Sequence, residues 1–382
     1  MFEFFYDSGM DLTQSAYGTW SGGRFMHFGK TLSEEEFISN LRGAYDKGVR
    51  TFVTADVYGT RRADQLFGRA FADIPRDSYA LVGMIGHDFI NGERQGSKGY
   101  PRFTDPTLRE SKDYSSFLEE STHSSLKDCK TDYFDLLMIH NPDEIGYMSE
   151  EVWTGMDKLK QAGLTQKVGI APGPANGFVL DMIHVIETFG EIIDWSMLIL
   201  NPFEPWPAGL ILPTAEKHNV DVITRVVDYG GLFHGQLKTG YKFKPGDHRS
   251  FRPEGWIDAG VEKLTQLQPI LDKHNITPLQ LSCLWNLSQP AVKSVIPTYT
   301  QEEYEGAKPI LEQVAETIDM PNIVFDAEDL ALIHKLGDNT GCMKLKGASQ
   351  RHQSSERPDE WPMRPELLEL AQRHGLGDSW SY

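Results

Sequence analysis

Residues 33–60 read SEEEFISNLRGAYDKGVRTFVTADVYGT. Ser33 and Glu36 spell a capping box, in which hydroxyl and carboxylate each satisfy an amide left free at a helix start. The helix EEEFISNLRGAYDKG follows, and Gly48 is placed to stop it, because glycine adopts the left-handed backbone of a helix end without steric cost. VRTFVTA (49–55) then reads as a strand. A helix feeding a short apolar strand is the unit from which parallel α/β sheets are built.

Working outward, further strands are expected at YALVGM (79–84), FDLLMIH (134–140), QKVGIA (166–171), DWSMLIL (194–200), VDVITRVV (220–227) and VKSVIP (292–297). Helical patterns lie between them at about residues 61–72, 113–129, 149–162, 177–189, 256–274 and 300–318. With an early segment from Leu12 to Gly18, eight strands alternate with helices. That predicts one (β/α)8 TIM barrel over residues 1–346, with its reactive face at the carboxyl ends of the strands. Two connections, His87 to Lys112 and Asp228 to Glu254, are too long for turns, and long ordered loops on that face cover pockets. Residues 347–382 read as a polar, Pro-rich tail with a last short helix.

The chain has 382 residues, 40% apolar and 24% charged, and no apolar run long enough to cross a bilayer, so a membrane role is not expected. The opening MFEFFYDSGMDLTQ is acidic where a secretory leader would be basic and then apolar, which makes the cytoplasm the expected location. Cys129, Cys283 and Cys342 are too few and too scattered for a disulfide framework or a thiolate metal site, and read as reduced thiols. A net charge of -18 would repel a phosphate backbone, which argues against a nucleic-acid partner and leaves a small-molecule substrate as the expected one. The oligomeric state is not legible.

Three segments carry a resemblance to a known family. GVRTFVTADVYGT, YFDLLMIHNPD and VKSVIPT resemble the second, fourth and eighth strands of the aldo-keto reductases, and the likeness runs from about Gly18 to Leu336. In that family a tyrosine protonates a carbonyl oxygen while a nicotinamide gives a hydride; a lysine paired with an aspartate lowers the tyrosine's pKa, and a histidine orients the carbonyl. The resemblance implies that the tyrosine is Tyr58 and the histidine His140. It puts the aspartate position on Val53 and the lysine position on Met84. Loss of the ion pair removes a positive charge and adds a desolvating wall, so Tyr58 is expected to be a weaker acid than its family counterparts.

The implied cofactor contacts depart in the same way. The family's Ser-Asn pair corresponds to Ala171 and Pro172, its amide-binding glutamine to Met197, and its ring-stacking tyrosine to Leu200. Methionine and leucine fill space but make none of those bonds. Thr298 and Thr300 remain near the implied phosphate end, where Glu302 and Glu303 would oppose a ribose 2'-phosphate. The expectation is therefore no cofactor, or NAD(P) held weakly with NAD favoured over NADP.

Other polar and aromatic groups are expected at the mouth: Trp20, Asp56, His87, Trp206, Arg225, Asp228 and Tyr229 as substrate contacts, with the aromatics able to pack on sugar-like faces. Each has a plainer reading. Tyr58 and His140 could be an inherited hydrogen-bond pair, Arg225 and Asp228 a salt bridge that holds their loop, and His87 and Asp88 a solvated loop. His234, His248 and Arg249 read as surface groups, and a metal site of His87, Asp88, His140, Asp143 and Asp228 is rejected for want of ligand spacing. Three functions compete: a non-redox acid-base enzyme (lyase, hydratase or isomerase) on a small hydroxylated or carbonyl compound, an NAD(P)-dependent oxidoreductase with altered cofactor contacts, and a non-catalytic binding or regulatory subunit.

Overall fold

A computed structural model describes residues 11–96, 99–173, 178–252, 254–339 and 364–376. Eight parallel strands pair in chain order: β1 (Ala16–Gly18), β2 (Thr51–Val53), β3 (Ala80–Ile85), β4 (Phe134–His140), β5 (Thr165–Ala171), β6 (Trp195–Ile199), β7 (Asp221–Arg225) and β8 (Val292–Ile296). The ring is closed by a parallel bridge between Ser15 and Val295, whose amide donates to the Gln14 carbonyl at 2.9 Å. The expected (β/α)8 barrel is therefore present.

Strand alternation divides the apolar residues between two cores. On β3 and β4, Val82, Met84, Leu136 and Met138 face inward and join Val53, Ala171, Trp195, Met197 and Ile223 in one cluster filling the barrel. Leu81, Ile85, Leu137 and Ile139 face outward into the layer between sheet and helices. Each fully buried side chain of this size contributes about 1.5–3 kcal/mol, so the inner cluster is a substantial part of the fold's stability.

The helix Glu34–Asp46 carries both halves of the expected capping box, with Glu36 N–H donating to Ser33 Oγ at 3.1 Å and Ser33 N–H to Glu36 Oε2 at 2.9 Å. Other boundaries differ from expectation. The 300–318 helix begins only at Ile310, because Pro309 disfavours helical backbone before it and Gly306 has φ +80°. The 256–274 pattern is two helices, Trp256–Gln266 and Gln268–His274, separated at Leu267 just before Pro269. Helices Pro278–Leu287 and Ala327–Gly337 were not anticipated, although Thr277 with Gln280 and Asp326 with Asp329 form capping boxes. In the tail, Pro365–Arg373 buries Leu367, Leu370 and Ala371 against the barrel's outer layer, and Arg373 pairs with Glu187 at 2.7 Å.

Both long connections are held by buried charge. After β3, Asp88 pairs with Arg109, which lies over the Phe117 ring. After β7, Arg249 joins Asp247 and Glu302, while Gly29 N–H donates to Asp247 Oδ2 at 3.2 Å. That network ties the β7 loop to the loops that follow β1 and β8.

Candidate active site at the barrel mouth

The chain leaving β2 turns at once, with Tyr58 N–H donating to the Ala55 carbonyl at 3.0 Å, and this turn sets the half-buried Tyr58 ring at the carboxyl end of the barrel. Its ring lies 4.7 Å from that of Trp20 and 5.8 Å from that of His140, which ends β4. His87 stands 5.3 Å beyond His140. Gly86 permits this approach: a Cβ there would meet the His140 carbonyl oxygen at 2.8 Å.

Tyr58 packs on the inner apolar cluster, so Val53, Met84, Ala171 and Met197 lie in the same floor. Burial pushes the phenol up to about 12, against a downward pull from Arg225 and with a smaller upward push from Asp56. His140 is only 8% exposed, and its Nδ1 has no hydrogen-bond partner. Burial, then Arg225 and Arg102, bring it down to about 3. Near neutral pH the site therefore offers a protonated phenol and a neutral imidazole.

Arg225 reaches from the end of β7 to the loop after β5, where its Nη2 donates to the carbonyls of Pro172 (3.1 Å) and Gly173 (2.8 Å). The plainer reading of a salt bridge with Asp228 is not met, since no ion pair joins the two. Asp228 is fully buried and accepts from the backbone amides of Gly231 (2.6 Å) and Thr298 (2.8 Å), so it shapes its loop and does not face the mouth. Tyr229 packs in a separate apolar cluster, between Phe203 and Trp256 and under Arg252.

Trp206 is tied to Asn339 by two hydrogen bonds at 2.9 Å. Asp56 is buried, with burial raising it well above the usual carboxylate range, and it lines a lateral cleft with Arg61, Asn91 and Arg109. Leu200 belongs to the outer core and not to the floor under Tyr58. Thr298 and Thr300 are engaged through their backbones, Thr298 with Asp228 and His234 and Thr300 with Gln313.

His87 and Asp88 are buried, which corrects the reading of a solvated loop. His87 contacts the Tyr100 carbonyl, Arg102 Nη1 and Asn141 Nδ2 at 3.2–3.3 Å, and burial with Arg102 holds it well below the ordinary histidine value. His234 and Arg249 are likewise interior rather than surface groups, because the β7 loop folds inward on them. Glu302 is paired with Arg249 and Glu303 with Lys244, so neither is a free carboxylate. Arg102 was missed: it sits deep in a long irregular loop, where no spacing marks it, yet its Nε donates to the Asn141 carbonyl beside His140. Cys129 and Cys283 are buried free thiols, and Cys342 lies outside the described residues. Among the described residues no three His, Cys, Asp or Glu side chains converge as a metal site would require.

Comparison with known proteins agrees with the geometry. The sequence profile of the Aldo/keto reductase family matches residues 16–338. The chain is 24% identical over 315 residues to a probable voltage-gated potassium channel subunit beta of Arabidopsis thaliana, covering 77% of this chain and 86% of the relative. It is 25% identical to the aldo-keto reductase YhdN of Bacillus subtilis, over 74% of this chain and 80% of that one. Among solved structures, a glycerol dehydrogenase from Gluconobacter oxydans superposes with a TM-score of 0.67 at 21% identity, covering 86% of this chain and 93% of the other. An aldo-keto reductase from Klebsiella pneumoniae, solved in complex with NADPH, gives 0.56 at 18% identity, covering 85% and 91%. The chain belongs to the aldo/keto reductase family. It is thus a barrel enzyme of that family, with the reaction class open, and no helix among its described residues is long and apolar enough to cross a membrane.

Proposed function

We propose that the enzyme acts on a small hydroxylated or carbonyl compound, sugar-like ones included, by acid-base or polarising work of Tyr58 and His140, with the family's usual hydride machinery largely lost. The observation that carries this reading is the floor beneath Tyr58. Val53 and Met84, which the resemblance aligns with the aspartate and lysine, are packed apolar side chains in one cluster with Ala171 and Met197.

A nicotinamide held in the family's way would need hydrogen-bonding side chains at Ala171, Pro172 and Met197 and a ring at Leu200. The residues present do not fit that group: Ala171 and Met197 are buried in the floor, the Pro172 carbonyl is engaged by Arg225, and Leu200 faces the outer core. No step is therefore routed through a cofactor. Tyr58, protonated, donates to a substrate oxygen, and His140, neutral and weakly basic, orients it. Proton removal falls to a carboxylate. Such a constellation serves elimination, hydration or isomerisation beside a carbonyl, which need an acid, a base and oxygen stabilisation.

The second reading is an NAD(P)-dependent oxidoreductase with altered contacts, favoured by the names of relatives and by neighbours solved with NADP or NADPH. The preference for NAD expected from Glu302 and Glu303 loses its force, since Arg249 and Lys244 offset both charges. Titration with NADH and NADPH, followed by tryptophan and nicotinamide fluorescence, separates the readings. Saturation below the micromolar range would establish the second. With a substrate in hand, Tyr58→Phe and His140→Ala should each lower turnover by about 100-fold or more in folded protein. If both leave it intact, the catalytic centre lies elsewhere.

A further inference from the structure

We propose that Arg225 is the anchor for an anionic substrate, so that the mouth takes a small hydroxy or oxo carboxylic acid whose carboxylate sits on the guanidinium while its neighbouring oxygen meets Tyr58 and His140. This rests on the reading that Tyr58 and His140 form the reacting centre, and it names the substrate class for that centre.

The first ground is an incomplete charge. Guanidinium has five N–H donors, and Arg225 directs Nη2 to two carbonyl oxygens while its Nε is enclosed with no partner. Among the described residues no carboxylate forms an ion pair with it. Carbonyl dipoles orient a cation but do not neutralise it, so this partly buried guanidinium keeps a positive field that a counter-ion would answer. Several other arginines have one: Arg76 pairs with Asp135, Arg109 with Asp88, Arg249 with Asp247 and Glu302, and Arg252 with Glu204. Arg225, at the mouth, has no such partner, and a bound anion completes it.

The second ground is placement. Arg225 ends β7, and the carbonyls it grips follow β5, so the guanidinium spans the carboxyl end of β6 on the same rim as Tyr58 and His140. Its charge is felt at both: it draws the phenol down and the imidazole down. Arg102 adds a second positive influence at His140. His140 Nδ1, more than nine-tenths buried and unpartnered, is a further polar atom that a ligand or a water ordered by it can satisfy. Neutral polyols would use the hydrogen-bonding groups but leave the positive field unanswered. A carboxylate matches the planar fork of guanidinium in two parallel bonds.

The test compares matched small molecules on the purified full chain: lactate against propane-1,2-diol, pyruvate against hydroxyacetone, and inorganic phosphate alone. Binding is read by calorimetry and by the fluorescence of Trp20, whose ring is 4.7 Å from that of Tyr58. Each acid should bind about ten-fold or more tightly than its neutral partner. Arg225→Gln should abolish that difference, while Tyr58→Phe should retain it. The acid-against-neutral comparison needs only the unaltered protein, so a poorly folded Arg225 variant does not rescue the idea. Equal affinity within each pair, no saturable acid binding, or a preference that survives in a folded R225Q protein overturns it. Saturation by phosphate with none by the carboxylates overturns the carboxylate assignment. Loss of turnover in the Tyr58 and His140 variants with no anion preference would leave the catalytic reading standing and remove this one alone.

Discussion

Burial on an apolar floor shifts the protonation of Tyr58 and His140, and that has consequences for pH. With the phenol near 12 and the imidazole near 3, neither group titrates across neutrality, so the kcat/KM profile should show no limb from either between about pH 4 and 11. A limb near 6.5 that vanishes in His140→Gln would mean that the imidazole is far more solvated than its 8% exposure indicates. The sign for stability follows from the depressed value. Above about 6.5 neither folded nor unfolded His140 is protonated and there is no penalty; as pH falls towards 3, the unfolded chain takes a proton that the native one refuses, so stability drops across that window. Urea titrations of the native protein and His140→Gln should therefore diverge in slope between pH 6 and 4. The floor can be tested directly. Val53→Asp alone should destabilise by about 3–5 kcal/mol, as an unpaired buried charge does. Val53→Asp with Met84→Lys should recover part of that loss, yet still fail to reduce a generic aldehyde with NADPH. Strong reduction by the double variant would show an intact nicotinamide site.

At the scale of elements, the loops position the mouth as much as the strands do. The loop after β7 is fastened by Arg249, only 2% exposed, between Asp247 and Glu302. Arg249→Ala leaves two buried carboxylates without their counter-charge and should cost about 3–5 kcal/mol. It should also release the 232–252 segment to limited proteolysis well before the barrel itself is cut; equal protection of that segment in wild type and variant would show that the apolar contacts hold it unaided. The sequence marked the length of this loop but not its fastening, because Asp247, Arg249 and Glu302 have no helical or strand period to relate them. Helix starts were legible where capping residues and apolar period agreed, as at Ser33. The helix Pro278–Leu287 has a weak apolar period that does not mark it, and residues 300–309 stay out of the following helix because Gly306 and Pro309 break it.

For the whole molecule, the described end of the chain completes the barrel's outer layer. Leu367 and Leu370 fill the face of helix Val179–Phe189, so a chain ending at residue 363 should lose up to about 3–6 kcal/mol, an upper estimate from burying two leucines. A thermal midpoint unchanged by the truncation would show that the helix docks without contributing. The strand and helix periods, repeated eight times, were enough to determine the barrel, since alternating burial is written into each segment by its own residues. The family motifs were enough to place Tyr58 and His140 at its mouth, and Val53 and Met84 at the positions beneath. What the sequence could not determine was which polar groups converge. Arg225 and Asp228 are three residues apart, yet one spans the rim to Pro172 and Gly173 while the other is buried under Gly231 and Thr298. Arg102 reaches the His140 strand from a distant loop, and Arg249 neutralises Glu302 across the fold. Such charge pairings depend on three-dimensional proximity between segments far apart in sequence, where no local period operates, and only the closed barrel with its packed loops decides them.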